Sequence, residues 1–270
     1  MLAVPGVRQE RFPLSTGVTV NVAFADWEPG IPTVLLPGLA DSWWSWSRVL
    51  PALAGAGPVM AVDPRGHGSS DRPPCCYAVE DVAGDVVALL DTLELARAVL
   101  IGHSGGCFTA RHIALSHPDR VAGLGLIASP IALDRSELGE VIEAVRALDD
   151  PVPEAFVRAF QEGTAHVPLP EQFLDGIVAE SRRLPAHVWR STLDGLLAYR
   201  DEADLARVRA PTTLVWGDRD TIVSRDDQER LARAIPDASF IVVPETGHCP
   251  HWERPDEVGV ALRSIAARAN

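Results

Sequence analysis

The chain of 270 residues has no lysine; all 24 of its basic residues are arginine. That absence excludes Schiff-base and pyridoxal-phosphate chemistry, the phosphate lysine of a P-loop, and a Ser–Lys dyad. Cysteine is also scarce. The four cysteines (Cys75, Cys76, Cys107 and Cys249) form no C-x-x-C pair, so they read as buried thiols of a reducing compartment. No apolar run approaches the ~20 residues of a spanning helix, and residues 1–12 lack the apolar core of a secretion signal. A cytoplasmic location is the expectation, with no membrane partner. Positive charge is in deficit as well: 37 acidic residues give a formal charge of −13 and no basic stripe offsets it. Nucleic acid and anionic membrane surfaces would be repelled.

What is present is an ordinary globular composition, 47% hydrophobic and 23% charged, on a chain long enough to bury a large core without staples. No internal repeat is visible, and arginine- and alanine-rich usage points to a GC-rich bacterial genome. Residues 18–24 alternate apolar and polar like a half-exposed strand. Residues 33–36, 59–62 and 98–101 are short apolar runs bounded by Gly, Pro or Asp, as expected of strands buried on both faces. Helical spacing marks residues 46–53 and 79–93, a helix is expected from 104 to about 116, and 121–128 reads as another strand. This alternation predicts an α/β fold with a mostly parallel, twisted sheet and helices on both faces.

Residues 131–209 break the pattern with helical periodicity and no convincing strand. Ser136 is the expected N-cap of a helix carrying Leu138, Val141, Ile142, Val145 and Leu148 on one face, stopped by Pro151 and Pro153. Further helices are expected over 154–161, 171–183 and 186–199. Strand and helix then resume at 212–216, 226–235, 240–243 and 256–267. Residues 1–130 and 210–270 therefore read as one core domain, and 131–209 as a helical lid inserted after the sixth strand.

Gly102-His103-Ser104-Gly105-Gly106 fits G-x-S-x-G, a strand-to-helix turn that exposes a serine hydroxyl. Composition alone gives roughly 0.09 chance matches, and the string lies between a strand and a helix candidate, the context that such a turn requires. A serine needs a base, and the base needs a group that fixes its tautomer. His248, in a loop after the last strand, is the best base. His251 completes an H-x-x-H spacing, yet no third ligand stands nearby, so no metal is expected. His67, His103, His112, His117, His166 and His187 read as structural or solvent-facing. Trp216-Gly217-Asp218-Arg219-Asp220 closes a buried strand and offers two candidate acids, Asp218 and Asp220.

These segments, with Leu36-Pro37-Gly38-Leu39, Asp63-Pro64-Arg65-Gly66-His67-Gly68-Ser69-Ser70 and Trp252-Glu253-Arg254-Pro255, resemble the α/β-hydrolase family in content and order. The resemblance implies the triad Ser104, Asp220 and His248, since the acid lies three residues after the glycine of the Gly217 motif. It makes the 65–68 turn structural and keeps His67 out of the site. It also implies an oxyanion hole from the amides of Leu39 and Gly105, although the family commonly has His-Gly where this chain has Pro37-Gly38. Gly105 is smaller than the usual residue there and leaves room beside Ser104. Trp43, Trp44, Phe156, Phe160 and Trp189, with Trp46 and Phe173, are expected around an apolar, partly aromatic pocket. Cys107 and Cys249 are expected to be apolar neighbours of the triad.

The expected activity is hydrolysis of a carboxylic ester or lactone of a small to medium apolar or aromatic molecule through an acyl-enzyme, with no cofactor. Relatives with the same triad also cleave carbon–carbon bonds or act as cofactor-free haloperoxidases. Carbon–carbon hydrolases usually carry Asn before the nucleophile and Trp after the catalytic His, where this chain has His103 and Cys249. Epoxide hydrolases and dehalogenases place Asp at the elbow, and epoxide hydrolases add two lid tyrosines, against Ser104 and Tyr199 alone here. A further alternative is a ligand-binding homologue with a slow triad.

Overall fold

The computed structural model describes residues 4–25, 29–133, 136 and 138–269; residues 1–3 of the N-terminal stretch considered above lie outside them. Eight strands form one sheet in the order β1-β2-β4-β3-β5-β6-β7-β8. They are β1 (Val7–Pro13), β2 (Thr19–Ala25), β3 (Thr33–Leu36), β4 (Val59–Asp63), β5 (Ala98–His103), β6 (Val121–Ile127), β7 (Thr212–Gly217) and β8 (Ser239–Val243). The β1–β2 and β2–β4 pairs are antiparallel and every other pair is parallel. Alternate side chains of one strand enter opposite layers. Val34, Leu36, Met60, Val62 and Leu100 join one core cluster, whereas Leu35, Val59, Ala61, Val99 and Ile101 join the other. Burial on both faces is why these strands read as unbroken apolar runs.

Helices α1 (Val79–Thr92) and α2 (Gly105–Ser116) cover the first layer with Val86, Leu89, Leu90, Ala110 and Ile113. Between β6 and β7 lie α3 (Gly139–Arg146), α4 (Glu154–Glu162), α5 (Glu171–Ser181) and α6 (Ala186–Ala198), with no strand among the described residues of this stretch. The core is completed by α7 (Arg225–Ala234), the short α8 (Pro250–Glu253) and α9 (Pro255–Ala269), whose Val258, Leu262 and Ile265 cover the second layer. The inserted helices bury a cluster of their own, with Ile142, Val145, Val157, Val178, Trp189 and Leu193. Arg111 of α2 ties both ends of the insertion. Its guanidinium makes two 2.8 Å bonds to Asp201 and also donates to Ser129 Oγ, Pro130 O and Ile131 O. No helix among the described residues is long and apolar enough to cross a membrane.

Three expectations are corrected and one strand is added. Residues 46–53 form no continuous helix but two 3-10 turns, Trp43–Trp46 capped by the Ser42 hydroxyl and Leu50–Leu53. Pro51 has no N–H to continue the first into the second. Leu138, not Ser136, precedes α3 as its cap residue. Strand β1 escaped the hydrophobic pattern because it is an exposed edge strand. Cys75 and Cys76 are exposed and joined to each other by a disulfide; only Cys107 and Cys249 are buried free thiols.

Candidate active site

Ser104 sits where β5 turns into α2, at φ 49° and ψ −119°. That region is disfavoured for an L-residue and costs on the order of 1–3 kcal/mol. Two bonds hold it there: Ser104 N–H donates to Ile127 O (3.0 Å) and Cys107 N–H to Ser104 O (2.9 Å). The flanking glycines are steric requirements. A Cβ on Gly102 would stand 2.5 Å from Gly106 O, and one on Gly106 would fall on the Leu36 carbonyl. The chain therefore brings β5, α2 and the end of β3 into backbone contact at this one turn, and the serine side chain is pushed out at the carboxyl edge of the sheet.

His248 lies in the loop between β8 and α8, where its N–H donates to Thr164 O at 2.9 Å. Its Nδ1 is 3.0 Å from Asp220 Oδ2, and both side chains are almost wholly buried. A carboxylate partner makes Nδ1 the protonated nitrogen and leaves Nε2 as the basic one. Asp220 is itself fixed, because its Oδ1 accepts the amide hydrogens of Ile222 (2.8 Å) and Val223 (3.0 Å). Asp218 is turned away and its Oδ1 accepts the Glu245 amide. Of the two candidate acids, Asp220 is the one that meets the imidazole.

Ser104 and His248 share the wall of one cavity of about 310 Å³. Among the described residues no hydrogen bond joins them; such contacts commonly tighten only around substrate. Leu39 and Gly105 line the same cavity. Gly105 is the first residue of α2, so its N–H is one of those that a helix leaves without an internal partner. The expected room beside Gly105 is absent. A Cβ there would come within 2.9 Å of Leu196 Cδ1 on α6, so the inserted helix fills the space that glycine leaves.

The neighbouring titratable groups are kept neutral by burial. Burial, then the His251 and His248 rings, hold His103 well below the ordinary histidine range, while burial takes His251 down to about 3. The His103 and His251 ring centroids are 4.5 Å apart, and neither has an acidic partner among the described residues. Burial raises the Cys107 thiol to about 12 and pushes Cys249 well up, so neither supplies a thiolate at neutral pH.

The expected aromatic pocket is largely corrected. Phe160 lines the cavity, but Trp43, Trp44, Phe156 and Trp189 do not. Trp43 and Trp44 meet edge to face at 5.6 Å, and Trp44 stacks on Phe173 while its Nε1 donates to the Phe173 carbonyl. Phe156 and Trp189 pack together within the insertion at 5.5 Å. Large rings fill the bulkiest interior gaps, where burial of their area is worth most. The lining is mainly aliphatic: Leu133, Leu138, Val141, Leu193, Leu196 and Ile222. Trp252 joins them from α8.

Three polar lining residues, Asp41, Gln161 and Thr164, escaped the sequence reading, and Asp41 is the one that titrates. Asp41 is 4% exposed, faces the cavity and accepts a 3.1 Å bond from Gln161 Nε2 of α4. Burial pushes its carboxyl up to about 7, against the lowering effect of the Gln161 bond. The available signal was a lone acid in the otherwise uncharged stretch 35–46.

A family model described as the alpha/beta hydrolase fold matches residues 32–255. The chain belongs to this family. The hydrolase is 29% identical to epoxide hydrolase A of Mycobacterium tuberculosis, over 95% of this chain and 97% of that one. It is 28% identical to a 2-hydroxy-6-oxononadienedioate/2-hydroxy-6-oxononatrienedioate hydrolase of Paraburkholderia phymatum, over 92% of each. Among solved structures, a thermophilic esterase from Thermogutta terrifontis superposes with a TM-score of 0.81 at 25% identity, covering 97% of this hydrolase and 99% of the esterase. One fold thus carries several named chemistries, and the hydrolase's own side chains must distinguish them.

Proposed function

We propose that the protein is a serine hydrolase of carboxylic esters or lactones with a small to medium, largely apolar acyl part. The observation that carries this reading is the convergence of a strained, half-buried serine with an imidazole held by a buried carboxylate on one cavity wall. Ser104 Oγ attacks the carbonyl carbon while His248 Nε2 takes its proton, and Asp220 stabilises the imidazolium that forms. The Leu39 and Gly105 amides receive the developing oxyanion. Collapse of the tetrahedral intermediate expels the alkoxide, which takes the proton from His248. A water activated by the same imidazole then releases the acid from Ser104. The helices between β6 and β7 act as a lid that keeps the site apolar.

The rival chemistries named among the relatives are less well matched by the residues. An epoxide opening through an ester intermediate requires a carboxylate at the elbow, and position 104 is serine. His103 and Cys249 stand where carbon–carbon hydrolases of this fold usually have Asn and Trp.

The test is a hydrolysis screen of aryl esters of rising acyl length beside simple lactones, with the mass of any trapped acyl-enzyme. Ser104→Ala is expected to lower kcat by ~10⁴ to 10⁶ without unfolding the protein. Unchanged turnover in Ser104→Ala would overturn the proposal, and so would an acyl group trapped elsewhere.

A further inference from the structure

The cavity wall carries one acid for which the triad chemistry has no use. Asp41 ends the turn that begins at Gly38, where its N–H donates to Gly38 O at 3.3 Å. Its side chain points across to the insertion. Gln161 Nε2 donates to Asp41 Oδ1 at 3.1 Å and to Ser181 Oγ at 2.8 Å. The Ser181 hydroxyl hydrogen is committed to Ile177 O at 2.9 Å, so Ser181 accepts from Gln161 and fixes the orientation of the amide. Asp41 Oδ1 is therefore an acceptor, held by a donor that is itself fully buried.

The second carboxyl oxygen, Oδ2, has no hydrogen-bond partner among the described residues, while its side chain lines the cavity. No arginine lines that cavity among the described residues; its other titratable groups are His103, His248 and Cys249. The geometry points to Asp41 as a specificity-determining residue whose free oxygen carries a proton and donates it to a carbonyl oxygen on the substrate, remote from the scissile bond. The substrate class is thus an ester or lactone with a second, oxo-type acceptor on its acyl chain. This rests on the ester reading above and narrows it.

Three physical points support the assignment. Burial without a cationic partner favours the neutral acid, in line with a carboxyl raised to about 7. A neutral acid on a largely apolar wall gains a hydroxyl hydrogen bond when the ligand brings an acceptor, so an analogue without that acceptor binds more weakly. The remaining lining is apolar apart from His103, Ser104, Gln161, Thr164, His248 and the thiol of Cys249, so an acyl chain with one oxygen matches it better than a polyol.

The experiment measures binding rather than turnover. Calorimetry on the Ser104→Ala protein compares 4-nitrophenyl hexanoate with its 3-oxo, 4-oxo and 5-oxo counterparts and with the 6-aminohexanoate ester. At least one oxo ester is expected to bind ~10-fold more tightly than the plain ester. Asp41→Asn on the same background should keep that ratio to within about 3-fold, because its amide oxygen still accepts from Gln161 and its N–H still donates. Asp41→Leu should bring the ratio to about 1. Equal binding of all oxo and plain esters would overturn the assignment, as would a preference that survives Asp41→Leu. Preference for the amine would overturn it too, by showing an ionised carboxylate. Turnover by the parent protein reports separately on the ester reading, so the two fail by different observations.

Discussion

His248 Nδ1 lies 3.0 Å from Asp220 Oδ2, while Asp220 Oδ1 is held by the amides of Ile222 and Val223. The acid is thus oriented by backbone before it orients the histidine.

Asp220→Asn separates these two duties. The amide oxygen can still accept from Ile222 and Val223, so the loop should keep its shape. An amide N–H facing Nδ1 would favour the tautomer with its proton on Nε2, and kcat for aryl ester hydrolysis should fall by ~10³ to 10⁴ with KM little altered. Steady-state kinetics with a thermal melt checks this. A variant that loses less than tenfold in kcat would show that Asp220 does not set the tautomer.

The elbow glycines should be intolerant where a half-buried helix glycine with open space beside it is not. Gly102→Ala and Gly106→Ala place a Cβ against backbone that cannot yield, and each should cost about 3 kcal/mol or more. Gly84, in α1, has nothing within 4 Å of its would-be Cβ. Gly84→Ala should stabilise by about 0.5 to 1 kcal/mol through helix propensity. Chemical denaturation of the three variants gives the comparison, and similar values for all three would contradict it.

Gly105 and Leu196 should behave as a coupled pair. In Gly105→Ala the new methyl meets the end of a flexible side chain at 2.9 Å, so stability should drop by only about 1 kcal/mol. The shift falls on an amide assigned to the oxyanion hole, and kcat should drop by ~10-fold. Adding Leu196→Ala should restore part of both losses, which a double-mutant cycle measures. Strict additivity would mean that the two residues do not compete for the same space.

Acid should weaken the fold through the buried histidines. His251 is held down at about 3 by burial, against an ordinary value near 6.5, and neither ring nitrogen has a hydrogen-bond partner among the described residues. Below about pH 6.5 the unfolded chain takes up a proton that the folded chain refuses, so stability is lost as pH falls towards 3. At pH 5 this residue alone accounts for about 2 kcal/mol. His67, held at about 4 by burial, acts in the same direction. Asp63 and Asp41, raised by burial to about 6 and about 7, act oppositely, because the folded chain keeps protons that the unfolded chain releases above about pH 4. His251→Leu isolates one contribution: its Tm relative to wild type should rise as pH is lowered from about 7.5 to about 4.5. A pH-independent difference would exclude this origin.

The apolar runs at 33–36, 59–62 and 98–101 were legible as doubly buried strands because a strand covered on both faces needs no polar residue. The serine turn was legible partly for a related reason: Gly102 is demanded by contacts with Gly106 and Cys107 inside the motif, whereas Gly106 is demanded by the distant end of β3 and Gly105 faces Leu196. The edge strand β1 was not, since solvent on both of its faces leaves a run of polar residues, 8–11, that resembles a loop. The split of 46–53 into two turns hinged on Pro51, whose missing N–H local spacing does not register.

By itself the sequence determined the order of the buried strands and of most helices, the helical character of the insertion and the chemical kinds able to form a serine site. Those follow from local sterics and from periodicity along one chain. Spacing alone left Asp218 and Asp220 open, and the tertiary structure pairs Asp220 with His248; it alone decided that the tryptophans fill the interior instead of the cavity and that Leu196 closes the space beside Gly105. It also joined Asp41 to Gln161, 120 positions apart. Such pairings depend on how layers pack, and packing is set by the whole core acting together, which no short window of sequence contains.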